Sequence, residues 1–408
     1  MKNYVIIGGG VASVACIEGI RSVDKEGKIY LICGEKRPTY CRPLISYYLE
    51  GRTDFEKMQY RPADFYEKNG CELVFATAEK IDEKNKTVTA DGKNYKYDKL
   101  LVATGSSSFV PPFPGLSDVK NKFTFMTESD AESLNGVINE NSRVLIIGAG
   151  LIGLKCAEGL AGRVKSITVC DLATRVLSSI LDEDCAPYMQ AVLEKNGISF
   201  MLGDSAAEFN GNTAHMKSGG ELEFDVLVLA LGVRANVSLV KDIGGTVNRG
   251  IVVNEFMETS IKDVYSAGDC AEGYDASIKG NRILALFPSA YAEGFTAGAN
   301  MAGESRKLLN EFPLNSIGFF GLHVMTAGAY VGKMTEIKTE SGIKRLFIDN
   351  DKLVGFIIIG DVKGVGIYTN MIREGTPVSS VNEEILINSP SLAIFSPEIR
   401  AKILGSVV

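Results

Sequence analysis

The chain is poor in histidine and in basic charge. Its 408 residues include only two histidines, His215 and His323, and neither lies in a sequence that advertises a base, so histidine catalysis is not expected. The eight cysteines, at 16, 33, 41, 71, 156, 170, 185 and 270, form no C-x-x-C pair and no repeated ligand spacing. That pattern writes neither a zinc site nor an iron–sulfur cluster, and no metal is expected. Basic charge is in deficit, with 43 Lys and Arg against 50 Asp and Glu for a net −7. A nucleic-acid partner needs a basic footprint and is not expected. The nearly uncharged stretch Asn3 to Ile20 is interrupted by Gly8, Gly9 and Gly10. It is read as strand, turn and helix rather than as a signal peptide or membrane span. A cytoplasmic chain with mostly reduced cysteines is the expectation.

Two segments break an apolar run into glycines in the same way, Val5–Ser13 and Val144–Gly153. Each run suits a buried parallel strand, and the glycines open a helix whose free N–H groups and dipole hold a pyrophosphate. Ser13 stands in the third glycine position of the first motif, where it is small enough to pass; Gly153 fills that position in the second. Each motif is followed by an acid at the end of a second apolar strand, Glu35 after Lys28–Gly34 and Asp171 after Ser166–Cys170. A carboxylate there accepts both ribose hydroxyls and repels a 2′-phosphate, so the second nucleotide is expected to be NAD rather than NADP. Arg175, four residues on, is read as a salt-bridging residue of the next helix rather than a phosphate ligand. Two dinucleotides in one chain point to electron transfer between them.

The length suggests about two or three domains, and 45% apolar with 23% charged residues describes an ordinary globular chain. A first βαβ unit runs to about residue 35, followed by a loop rich in Arg, Pro and Tyr over Arg37–Tyr48. Strands bracket a turn at Ala90–Lys93, and Lys99–Ala103 leads into Thr104-Gly105-Ser106. Pro111–Gly115 reads as a linker. A second unit of the same order closes on Phe224–Gly232, a repeat spaced by roughly 140 residues that marks a duplicated nucleotide fold. After Val264–Asp269 a helix-like stretch runs from Ala290 to Ala302. From about Glu311 short alternating strands with glycine turns predict a separate, smaller α+β unit.

In that order, Gly8-x-Gly10-x-x-Ser13, Ala103-Thr104-Gly105, Gly148-x-Gly150-x-x-Gly153, Ala230-Leu231-Gly232 and Ser266-Ala267-Gly268-Asp269 resemble the FAD- and NAD-dependent pyridine nucleotide–disulfide oxidoreductase superfamily over residues 1 to about 305. Tyr40–Ser46, Gly150–Lys155 and Asn300–Gly303 resemble the rubredoxin reductases and the N-terminal flavoprotein part of assimilatory nitrite reductase, a subgroup without a redox disulfide. The resemblance implies an α/β chain with two Rossmann-like, glutathione-reductase-type domains. The FAD domain would be discontinuous, 1–115 and 240–310, the NAD domain would span 116–239, and 311–408 would form a C-terminal interface domain with a tail.

The same resemblance implies FAD contacts from Gly8, Gly10, Val11, Ala12, Ser13, Glu35, Lys36, Arg42, Pro43, Ala78, Ala103, Thr104, Gly105 and Asp269. Arg42 would lie near the pyrophosphate, Glu35 on the adenosine ribose and Asp269 on the ribitol. The helix starting near Pro288-Ser289-Ala290 would point its N-terminus at the flavin N1–O2 edge, stabilising the anionic reduced ring. NAD contacts would come from Gly148, Gly150, Leu151, Ile152, Gly153, Asp171 and Gly232. Many relatives place a glutamate where this chain has Lys155, paired with a lysine where it has Tyr47; Lys155 would instead favour negative charge on the reduced flavin and raise its potential.

The implied reaction passes electrons from NADH through FAD to a small redox protein, rubredoxin or a ferredoxin-like iron–sulfur protein. Two alternatives stay open. Single-cysteine relatives carry a flavin-adjacent thiol in this loop, so Cys41 would serve a disulfide or peroxide reductase. Otherwise the chain is a flavin-bearing subunit of a larger redox complex, with Pro377–Val408 either a docking surface or a packed terminal helix.

Overall fold

The computed structural model describes residues 1–339 and 342–405. They cluster into two compact units. One holds Met1–Ser179, Glu194–Asp275 and Lys279–Leu309; the other holds Ile180–Leu193, Ala276–Ile278 and the chain from Asn310 onward.

The larger unit contains two parallel five-stranded sheets built to one plan. In the first, Asn3–Ile7 lies between Lys28–Ile32 and Lys99–Val102, with Cys71–Val74 and Val264–Ser266 at the edges. In the second, Arg143–Ile147 lies between Ser166–Asp171 and Val226–Leu229, with Ile198–Leu202 and Lys122–Phe123 at the edges. Tyr4–Ile7 and Val144–Ile147 are buried throughout, as parallel strands covered on both faces must be. An antiparallel meander precedes Lys99–Val102 in one half, Ala78–Asp82, Thr87–Ala90 and Lys93–Lys96, and Val226–Leu229 in the other, Ala206–Asn210, Thr213–Met216 and Glu221–Glu223. Asp91 and Gly92 both take positive φ at the first meander's tight turn, which suits the right-handed twist of its strands.

The halves differ in the source of one edge strand. Lys122–Phe123 enters the second sheet before the second glycine motif, whereas Val264–Ser266 joins the first sheet only after the second half is complete. The chain therefore leaves the first sheet and returns to it. The outgoing Ser106–Ser108 and returning Val233–Ala235 pair antiparallel, and the Phe109 N–H donates to Gly232 O at 2.9 Å. The linker Pro111–Gly115 is packed. The Phe209 N–H donates to Pro114 O at 2.9 Å, the Phe113 ring meets Phe209 edge-on, and a Cβ on Gly115 would stand 1.8 Å from Phe209 O.

Helices Val11–Val23 and Phe287–Ala302 pack almost backbone to backbone. A Cβ on Gly294 or Gly298 would lie 2.1 Å from Ala12 O or Cys16 O, and one on Gly19 would lie 2.3 Å from Phe295 O.

The smaller unit is an antiparallel sheet in the order Leu314–Phe319, Leu322–Gly328, Lys352–Ile359, Gly342–Asp349, Lys333–Thr339. Helix Val365–Glu374 packs on it through Tyr368 and Met371. Of the two roles considered for the tail, the structure packs most of it inward: Val378, Leu386, Ile394 and Phe395 join the core, and Tyr368 donates to Leu386 O at 2.7 Å. Arg345, 4% exposed, is surrounded by Glu336, Asp182 and Asp184, which explains why Ile180–Leu193 clusters with this unit. Among the described residues, no helix is long and apolar enough to cross a membrane.

Candidate functional site

All strands of a parallel sheet end on one side, and ligands of such sheets bind outside those carboxyl ends. The first sheet delivers Gly8, Glu35, Ala103 and Asp269 to that side; the second delivers Gly148, Asp171 and Ala230. The two glycine loops share one backbone solution. Gly8 and Gly148 take φ +113° and +117°, and a Cβ on either would lie 2.0 or 2.2 Å from the carbonyl of Ala103 or Ala230. Nothing lies within 4 Å of a Cβ placed on Gly10 or Gly150, so both second glycines border open space. Helices Val11–Val23 and Leu151–Leu160 start there with no side-chain cap and no acid in the first turn, leaving their positive ends for phosphate. The third positions differ. The Ser13 hydroxyl donates to Gly8 O at 2.6 Å, whereas a Cβ on Gly153 would stand 2.0 Å from Gly148 O.

The two acids are held by different means. Glu35 accepts Arg42 Nη2 at 2.6 Å and the Tyr40 hydroxyl at 2.8 Å. Arg42 also donates to Met126 O at 2.8 Å, so its guanidinium spans Glu35 and the Met126 carbonyl. Asp171 accepts the Ala149 N–H of the glycine loop at 2.7 Å and the Ala173 N–H at 2.8 Å. Arg175 donates a long 3.4 Å bond to Ser178 O. Lys36, Pro43 and Gly232 are exposed; Val11, Ala78, Leu151 and Ile152 are half-buried and Ala12 is buried.

Thr104 and Gly105 are fastened by a residue the sequence reading missed, Asn236. Its carbonyl accepts the Thr104 hydroxyl at 2.6 Å, and its amide donates to Thr104 O at 2.9 Å. Asp269 is half-buried and accepts the Ser106 hydroxyl at 3.0 Å. The preceding Gly268, at φ +79°, donates its N–H to the buried Glu293 at 2.7 Å, a second group not foreseen. Helix Phe287–Ala302 carries Pro288 in its first turn and no acid there, so its positive end is uncompensated as well.

Lys155 is paired within its own helix. Its Nζ lies 2.6 Å from Glu158, whose side chain is 7% exposed, and 5.8 Å from the Tyr47 ring. A carboxylate one turn along the same helix therefore compensates the charge. Cys41 is half-buried, and burial pushes its thiol above the ordinary range. All described cysteines are free. His215 pairs with Glu221 in the second meander, away from the glycine loops.

Residues 2–294 match the family model for pyridine nucleotide-disulphide oxidoreductase. The NADH oxidase of Methanocaldococcus jannaschii is 32% identical, over 93% of this chain and 96% of its own length. The assimilatory nitrate reductase electron transfer subunit of Bacillus subtilis is 31% identical over 97% of this chain. The chain spans about half the length of that relative, 52%. The putidaredoxin reductase–putidaredoxin complex superposes with a TM-score of 0.87 over 95% of this chain and 96% of the matched one, at 22% identity, which shows the fold. With its duplicated sheets and glycine loops, the chain belongs to the pyridine nucleotide-disulphide oxidoreductase family, oxidoreductases that use FAD and NAD(H).

Proposed function

We propose that the chain oxidises NADH and passes the electrons through FAD to a small redox protein, rubredoxin- or ferredoxin-like. The carrying observation is the doubled site: two glycine loops with open second glycines and bare helix N-termini, one sheet ending in Glu35 and Asp269 and the other in Asp171. We assign 1–115 with 240–310 to FAD and 116–239 to NAD. When bound, FAD accepts hydride from the nicotinamide and releases electrons singly. The chain's own residues orient and select. Gly8–Ser13 offers N–H groups to the FAD pyrophosphate, Glu35 accepts the adenosine ribose, and Asp269 accepts ribitol hydroxyls. Asp171, fixed by two backbone N–H groups, accepts the NADH ribose and disfavours a 2′-phosphate. The positive end of helix Phe287–Ala302 favours a negative flavin.

A redox-protein acceptor is supported by two similar proteins, an electron transfer subunit and a reductase solved with putidaredoxin. The first also favours residence in a larger redox complex. A thiol mechanism through Cys41 has less support, because burial raises that thiol's ionisation and disfavours the thiolate nucleophile. The test is anaerobic reduction with NADH, then rapid mixing with rubredoxin, ferredoxin or coenzyme A disulfide. Fast reoxidation by an iron–sulfur protein is expected. Reoxidation by the disulfide alone overturns the reading.

A further inference from the structure

The ribose acid of the first sheet is braced from a segment that belongs, in sequence, to the other half of the duplication. The Glu128 N–H donates to the Tyr40 hydroxyl at 3.0 Å, and that hydroxyl donates to Glu35 Oε2 at 2.8 Å. Arg42 spans Glu35 Oε1 and Met126 O at 2.6 and 2.8 Å. Arg37 pairs with Glu128, whose side chain is 4% exposed. Both donors to Glu35 thus rest on Met126–Glu128. That stretch is itself rigid: Asp130 accepts the Met126 and Thr127 N–H groups at 2.8 and 3.1 Å, and its own N–H donates to the Thr127 hydroxyl at 3.1 Å, a reciprocal cap on helix Glu128–Asn135.

The chemistry of Tyr40 suits a relay. Its phenol is 8% exposed and burial pushes its ionisation up, so the hydroxyl stays a donor to Glu35 while accepting from Glu128. A long carboxylate side chain has three rotatable bonds, and two fixed donors, one on each oxygen, select one orientation before a ligand arrives.

We propose that Tyr40 is a positioning residue for FAD: supported by the Glu128 N–H, it fixes the Glu35 carboxylate so that the adenosine ribose meets a pre-oriented acceptor. This rests on the reading that Glu35 binds that ribose. It makes flavin retention depend on residues 126–130, which lie outside the segments assigned to the FAD domain.

The experiment is a double-mutant cycle on the full chain, with Tyr40→Phe, Glu35→Gln and the double variant, each stripped of flavin and titrated with FAD. Tyr40→Phe keeps the ring and its packing, so folding is preserved, and the melting temperature without flavin verifies that. Tyr40→Phe is expected to raise the FAD Kd about tenfold, and to raise it far less in the Glu35→Gln background, because the hydroxyl acts through that carboxylate. FMN, which lacks the adenosine, should bind the parent and Tyr40→Phe alike. A Tyr40→Phe effect that is additive with Glu35→Gln, or absent, overturns the proposal while leaving the FAD assignment intact. A parent that binds no FAD, or a Glu35→Gln variant that binds it unchanged, overturns the underlying reading and the proposal with it.

Discussion

Asp171 satisfies the Ala149 and Ala173 N–H groups and, on the proposed assignment, presents charge where a 2′-phosphate would lie. The protein should prefer NADH over NADPH by about 2–4 kcal/mol, or roughly thirty- to several-hundred-fold in kcat/KM. Asp171→Ala should narrow that gap mainly by weakening NADH, and steady-state kinetics with both nucleotides reads it; equal efficiency in the parent would place the ribose elsewhere. Cys41→Ser should leave NADH-to-dye turnover within about twofold, since single-electron exit needs no thiol. Because the Cys41 pKa is raised by burial, less thiolate exists near pH 7 than for a free cysteine. Iodoacetamide should label it slowly there and faster only as pH climbs above the ordinary thiol range; rapid labelling at pH 7 contradicts this. The glycines and both acids were legible in the sequence because each sits at a fixed offset from a strand end. Asn236, Glu293 and the Glu158 partner of Lys155 were not. Asn236 meets Thr104 across 132 residues of chain, and no local pattern encodes a contact of that range.

At the scale of elements, the most demanding contact joins helices Val11–Val23 and Phe287–Ala302. Gly294 and Gly298 leave no room for a methyl group against Ala12 O and Cys16 O. Gly298→Ala must push the helices apart along a buried seam, at a cost of about 1–3 kcal/mol, which in a chain of this size lowers the Tm by several degrees. The seam starts beside Gly8–Ser13, so the FAD Kd should rise too; thermal melts and FAD titration of Gly298→Ala test both, and an unchanged Tm would mean the helices separate at no cost. The sequence made both nucleotide sheets readable because buried parallel strands are continuous apolar runs bounded by glycine. Pro111–Gly115, a linker by composition, also packs against Phe209, a contact its prolines do not announce. Proline-rich spacing signals absence of regular structure, not absence of contacts.

Across the whole molecule, the duplication is unequal in a way that predicts how the chain divides. The second sheet takes all of its strands from one continuous stretch, Lys122 to Leu229, and its meander from the same stretch. The first sheet does not close within residues 1–115. It lacks Val264–Ser266 until the chain returns, and with it Asp269 and the helix whose Gly294 and Gly298 seat Val11–Val23. A fragment of residues 110–239, which keeps the Pro114–Phe209 contact, should therefore fold, melt cooperatively and bind NADH with a dependence on Asp171, while holding no flavin. Residues 1–115 alone would expose the apolar face of Val11–Val23 and the unpaired side of Lys99–Val102, an open apolar sheet edge that favours aggregation. The intact chain should be yellow with about one FAD. Expressing the three side by side and measuring solubility, circular dichroism, flavin absorbance and NADH fluorescence titration decides the matter. A soluble 1–115 fragment that retains FAD would show that the returning strand and helix are dispensable, and the discontinuous FAD assignment would fail.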